Sequence, residues 1–76
     1  MASGLGGLPD ARWDVEAVCA WVATVKGATD EVVSSFRAND IDGAALIELT
    51  AQELKDDLNV TSLGVRKNIL RGLAKS

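Results

Sequence analysis

The sequence contains no histidine and no tyrosine, and only one cysteine, one proline and one phenylalanine. Each shortage removes a class of function. Without histidine, the commonest general base and the commonest neutral metal ligand are gone. With Cys19 alone, no internal disulfide can close and no cysteine-based metal site can assemble. A reducing, intracellular compartment, cytoplasmic or nuclear, is therefore expected. No apolar run approaches the ~20 residues of a membrane-spanning helix. Residues 1–8 have neither the basic nor the apolar segment of a secretory signal. Gly4, Gly6 and Gly7 lack the following lysine and the strand–helix setting of a phosphate loop. β-Branched residues nowhere alternate with polar ones, which argues against strands.

What remains is a chain of 76 residues, 47% of them hydrophobic, long enough for one domain with a modest core. Residues 1–12, with three glycines and Pro9, read as a flexible leader, and residues 13–75 as the domain. Val15, Val18, Cys19, Val22 and Val25 recur on one helical face, so a first helix is expected over 15–25. Asp14 caps it, Trp13 folds back as a lid, Trp21 sits beside the face and Gly27 stops it. A second helix starts at Thr29 or Asp30, buries Val32, Val33 and Phe36, and breaks at Asn39-Asp40. A short third helix is capped by Asp42 and holds residues 44–47. Thr50 and Glu53 make a capping box for a fourth, over 51–58. Leu46, Ile47, Leu49, Leu54 and Leu58 are expected in the core, and Asn59 suits a left-handed helix end. A long fifth helix begins after Thr61 or Ser62, with Val65, Ile69, Leu70 and Leu73 inward and Lys67, Arg71 and Lys75 as a basic stripe. Gly64 near its start costs helix propensity and usually marks close backbone approach. The expected fold is a compact all-α bundle of five helices with a long C-terminal helix.

Charge is distributed unevenly. The net charge is −3. Residues 38–60 hold Asp40, Asp42, Glu48, Glu53, Asp56 and Asp57 against Lys55 alone, leaving −5. Residues 61–76 hold Arg66, Lys67, Arg71 and Lys75 with no acid, leaving +4. Such a separation gives an isolated domain nothing, but it steers association with a similarly divided partner. The adjacent carboxylates Asp56 and Asp57 lie at an exposed helix end with no desolvated cleft, so catalysis is not expected.

The ordered landmarks Trp13, Val18, Trp21, Phe36, Asn39-x-Ile41-Asp42-Gly43-x-x-Leu46, Leu49-Thr50, Leu54-Lys55, Leu63-Gly64-x-Arg66 and Ile69-Leu70 resemble those of a SAM (sterile alpha motif) domain. The resemblance covers about 60 residues, from Trp13 to Leu73. Departures are Val32 where many members have tyrosine, Asn59 where glycine is usual, and Val65 where many have histidine.

The resemblance implies a non-enzymatic protein-interaction module with no cofactor, metal, small-molecule ligand or membrane partner. In self-associating members, an acidic mid-loop surface binds the end-helix surface of the next copy. The matching mid-loop positions are Asp40, Asp42, Glu48, Asp56 and Asp57. The matching end-helix positions are Leu63, Gly64, Val65, Arg66, Lys67 and Arg71. The partner would be a second copy, giving a head-to-tail oligomer or polymer, or another SAM domain. The alternative is RNA hairpin binding through the helix 5 stripe. It is the weaker reading, because the chain is net acidic and the stripe shows no aromatic stacking platform.

Overall fold

The computed structural model describes residues 9–73. Five helices follow one another: α1 (Val15–Ala23), α2 (Asp30–Ala38), α3 (Gly43–Ile47), α4 (Ala51–Asp56) and α5 (Leu63–Gly72). No strand occurs among the described residues. Each helix opens on a side-chain cap that satisfies one of its orphan amides. Asp14, Thr29, Asp42, Thr50 and Ser62 accept from Ala17, Val32, Ala45, Glu53 and Val65 respectively. Thr50 and Glu53 complete the reciprocal capping box: the Glu53 carboxylate accepts from the Thr50 amide at 3.1 Å.

The helix ends are more varied. α1 stops at Ala23, two residues short of the expected Val25, because the Thr24 amide bonds back to Trp21 and Val22. The chain then turns through Gly27, whose φ of +89° is readily open only to glycine. α2 ends in a Schellman motif, with the Ile41 amide on the Phe36 carbonyl and the Asp40 amide on the Arg37 carbonyl. Asp40 takes the left-handed position, φ +52°. α4 ends at Asp56 rather than at Leu58. The Leu58 amide reaches Glu53, the Val60 amide reaches Leu54, and Asn59 between them is left-handed at φ +56°.

The caps and turns fold the apolar faces onto one core. Val18 and Val22 of α1, Phe36 of α2, Leu46 of α3, Leu54 of α4 and Ile69 of α5 are fully buried, with Leu49, Leu58 and Val60 from the links. Trp13, Trp21, Val32, Val33, Ile41, Leu70 and Leu73 pack around it half-buried. Ile47, expected inside, is 39% exposed instead. α3 is a single turn anchored by Leu46, and the residue that follows Leu46 turns outward.

Residues 9–13, most of them assigned by sequence to the leader, pack against the start of α3. The Gly43 amide donates to the Trp13 carbonyl at 2.8 Å, and the Trp13 amide donates to the Asp10 carbonyl at 2.9 Å. The Asp10 carbonyl lies so close to Gly43 that a Cβ there would sit 1.9 Å from it. Residues 1–8 of that leader, with their glycine cluster, lie outside the described residues, as does Lys75 of the basic stripe. Glu16 and Arg37 join α1 to α2 through two hydrogen bonds of 2.9 and 3.2 Å.

Candidate functional site

Two acidic residues line a groove. Asn39 at the end of α2, Ile41 in the α2–α3 link, Leu49, and Glu53, Asp57 and Leu58 of the α4 segment line a depression of about 280 Å³. Its apolar lining comes from Ile41, Leu49 and Leu58, and its charge from Glu53 and Asp57. Glu53 and Asp57 are four residues apart, which places them on one side of α4. Of the five acids named from sequence, Asp57 alone lines the groove. Asp40 and Asp42 flank its residue Ile41 in the chain, and Glu48 precedes its residue Leu49. All five are exposed.

Local folding leaves these acids in different states. The Asp42 carboxylate caps α3, accepting from the Ala45 amide at 3.0 Å. Asp56 accepts from the Gln52 side-chain amide one turn earlier. Glu48 and Asp57 are the C-terminal caps of α3 and α4, where backbone carbonyls already present negative charge. Glu53, Asn39 and Ile41 were missed as site residues. The sequence reading places Glu53 in the capping box and in the acidic stretch but not on the binding face, although its spacing to Asp57 is a signal for it.

The second set lies at the start of α5. Leu63 is its first residue and is 57% exposed, the most exposed large apolar side chain among the described residues. Gly64 is also exposed, and a Cβ added there would meet nothing within 4 Å. The close approach expected of this glycine is therefore not made within its own chain. Lys67 is exposed one turn on. Three residues named from sequence are engaged elsewhere. Val65 leaves that surface: at 8% exposure it belongs to the core, and its Cγ2 lies 3.0 Å from where a Gly27 Cβ would stand. Its four-residue spacing to Ile69 is the reason, since both fall on the inward stripe of α5. Arg66 is half-buried and donates from Nη1 to the Val60 carbonyl at 2.8 Å, tying α5 to the link before it. Arg71 is exposed but directed toward α1, with Nη1 on Asn68 Oδ1 at 3.1 Å.

The described residues contain no buried polar or charged side chain and no cluster of three or more residues able to hold a metal ion. Burial pushes the Cys19 thiol upward, away from a reactive thiolate. No helix among the described residues is long and apolar enough to cross a membrane. The arrangement supplies an apolar recess with Glu53 and Asp57 on one side and, elsewhere, the exposed Leu63 with Lys67 one turn on.

Comparison with known proteins identifies the family and the fold. The family model for the SAM domain (sterile alpha motif) matches residues 11–75. The human WD repeat, SAM and U-box domain-containing protein 1 is 39% identical over 59 residues, covering 78% of this chain and 12% of that protein. Diacylglycerol kinase eta of Drosophila ananassae is 41% identical over 62 residues, covering 82% of this chain and 3% of the kinase. The chain thus spans a small fraction of the curated relatives it matches. A solved structure of the polyhomeotic SAM domain superposes with a TM-score of 0.78 at 26% identity, covering 87% of this chain and 91% of that one.

Proposed function

Because the chain belongs to the sterile alpha motif family, a family of protein–protein interaction modules, we propose that it associates head to tail, the start of α5 on one copy seating in the acidic groove of the next. The partner is a second copy or another SAM domain. The observation that carries this reading is the match between the two surfaces. The groove offers an apolar lining with Glu53 and Asp57 at its side, and the other surface offers exposed Leu63 with Lys67 one turn along. Leu63 would lose its water contact in the recess, which favours binding by the apolar area removed. Lys67 and the amides at the N-terminus of α5 would face the carboxylates. Gly64 beside Leu63 would let the partner approach the backbone closely. Two unlike patches on one molecule give a heterologous contact, which propagates as an open filament unless its rotation closes a ring. A patch of this kind buries on the order of 1,000 Å² or less, so charge complementarity weighs heavily in the outcome.

The test is sedimentation velocity over a concentration series with Lys67→Glu and Asp57→Lys. These positions are preferable to Arg66 and Asp42, whose side chains hold the Val60 carbonyl and cap α3. The wild type should sediment faster as concentration rises, each single variant should remain monomeric, and an equimolar mixture of the two should stop at a one-to-one complex. A wild type that stays monomeric at millimolar concentration and binds no other SAM domain would falsify the proposal.

A further inference from the structure

Of the five helices, α3 is the least able to hold itself. It has five residues, Gly43–Ile47, and a helix of little more than one turn has no stability of its own. Yet the acidic groove depends on where it sits. Ile41 lies two residues before α3 and Leu49 two residues after it, and both line the groove. α3 contributes its own anchors, the buried Leu46 and the Asp42 cap. A further anchor comes from the chain ahead of α1: the Gly43 amide donates to the Trp13 carbonyl at 2.8 Å.

Residues 10–13 are shaped to make that contact. The Trp13 amide donates to the Asp10 carbonyl at 2.9 Å and closes a turn. The Asp10 carboxylate braces the turn, since Oδ1 accepts from the Arg12 amide at 2.8 Å and Oδ2 accepts from Arg12 Nη2 at 3.3 Å. The turn then lies backbone against backbone on Gly43, where a Cβ would stand 1.9 Å from the Asp10 carbonyl oxygen. The Trp13 ring packs half-buried against the core. Asp10, Arg12, Trp13 and Gly43 are all absent from the lining of the groove.

We infer that the turn of residues 10–13 is a clasp that controls the acidic groove. Seated on Gly43, it holds α3 and with it Ile41 and Leu49. Lifted, it frees α3 and slackens the groove with no change at any groove residue. Few contacts separate the two states, so the clasp opens by local motion, short of global unfolding. Its place in the chain gives it a regulatory use. Whatever acts on the chain just before Pro9 acts on the clasp, and a ligand there that prefers the lifted turn shifts the groove toward its slack form. Control of the groove stands on these contacts alone, whereas its effect on partner affinity rests on the head-to-tail reading.

The test uses the Lys67→Glu copy, whose groove is intact and whose own α5 surface is disabled, with the Asp57→Lys copy as its ligand. Gly43→Ala forces the clasp to lift. In this background it should move the amide resonances of Leu49 and of Leu58 across the groove, and weaken binding on the order of tenfold, because affinity falls with the seated fraction. Gly64→Ala, the same change where the methyl meets nothing, should leave both readings as they were. Asp10→Ala loosens the clasp from outside, and should speed hydrogen exchange at the Gly43 amide by about five- to tenfold while the Val22 amide in the core keeps its rate. Asp10→Asn retains an oxygen for the Arg12 amide and should keep the parent's rate. A folded Gly43→Ala protein with Leu49 and Leu58 unmoved, or one that binds as its parent does, overturns the inference. So does an Asp10→Ala protein whose Gly43 amide exchanges at the parent's rate, and this arm decides alone if Gly43→Ala does not fold. If the parent pair forms no complex, the head-to-tail reading falls, and the resonances and exchange rates still decide for or against the clasp.

Discussion

Two glycines in similar positions, each in the first turn of a helix, should respond to alanine with opposite signs. At Gly43 a Cβ would stand 1.9 Å from the Asp10 carbonyl oxygen and 2.9 Å from the Trp13 nitrogen. Both are backbone atoms that no rotamer change can move. Residues 10–13 would have to lift, breaking the 2.8 Å bond from Gly43 to the Trp13 carbonyl. That loses about 1 kcal/mol of hydrogen bonding and ~1–3 kcal/mol through overpacking, against up to ~1 kcal/mol of gained helix propensity. The net is a loss of roughly 1–3 kcal/mol, a large share of the few kcal/mol that hold a domain this small. At Gly64 the added methyl meets nothing, so only the propensity gain remains, up to ~1 kcal/mol in favour of folding. At about 4–8 °C per kcal/mol, Gly43→Ala should melt some 5–20 °C below the wild type and Gly64→Ala at or a few degrees above it. Circular dichroism melts read both, at a concentration where sedimentation shows monomer, because association adds apparent stability by mass action. A Gly43→Ala protein as stable as the wild type would refute the packing of residues 10–13 on α3. A Gly64→Ala protein much less stable would mean that this glycine serves the monomer after all.

Three further outcomes follow from the contacts. Arg66→Ala removes a charge-assisted bond to the Val60 carbonyl and should cost about 1.5–3 kcal/mol in urea unfolding, whereas Lys67→Ala should stay within ~0.5 kcal/mol; equal effects would contradict the division of labour between these neighbours. Cys19 is 3% exposed and its thiol is pushed up by burial, so the native protein should resist an aromatic disulfide reagent that labels it at once in denaturant; immediate native labelling would contradict the burial. The Arg37 hydrogen bond holds the Glu16 carboxyl below its ordinary value of 4.5. This contribution is complete above the unfolded-state pKa and is lost as pH falls through the lower folded value, so the wild type should lose stability more steeply than Glu16→Gln as pH drops below about 4.5, and parallel curves would show that the pair contributes nothing.

The helices were legible because each begins with a local chemical signal that depends on few neighbours. Asp14, Asp42 and Thr50 cap as their residue types suggest, and the apolar spacing of Val65 and Ile69 fixed the inward side of α5. The helix ends were less legible. Gly27 marks a turn three residues beyond the cap of α1, because the Thr24 amide had already closed that helix. Asp40 in a left-handed conformation could not be read from its type, which tolerates that state without requiring it. The site was legible in charge and not in shape. Acidic and basic stretches are visible as runs of letters. That Asp57 enters a groove with Glu53, that Arg66 faces the Val60 carbonyl and that Lys26 joins α5 through Asn68 all depend on contacts that spacing along the chain does not show. Val65 was assigned at once to the core stripe and to the binding surface, and only packing could decide between them.

Several residues of this domain are poor choices for an isolated monomer, and they are not scattered. Asp40 occupies the left-handed end of α2, where glycine would be less strained. Glu48 and Asp57 place negative charge at helix C-termini, where lysine or arginine would be favoured by a few tenths of a kcal/mol. Leu63 exposes over half of its side chain, and Gly64 weakens α5 where its own fold leaves room for a methyl group. The first three lie on or beside the acidic groove and the last two form the start of α5. Away from these surfaces the chain follows local rules closely, with five capped helices and no buried side-chain polar atom left without a hydrogen-bond partner among the described residues. On the head-to-tail reading, such local losses are what selection for binding would leave behind, since it accepts costs that selection for stability alone would remove. It follows that stability and association should respond in opposite directions here. Combining Asp40→Gly, Asp57→Lys and Gly64→Ala should yield a domain that melts higher than the wild type and no longer assembles. A combined variant that assembles as well as the wild type would detach these residues from binding and leave their cost to the monomer without a cause in association.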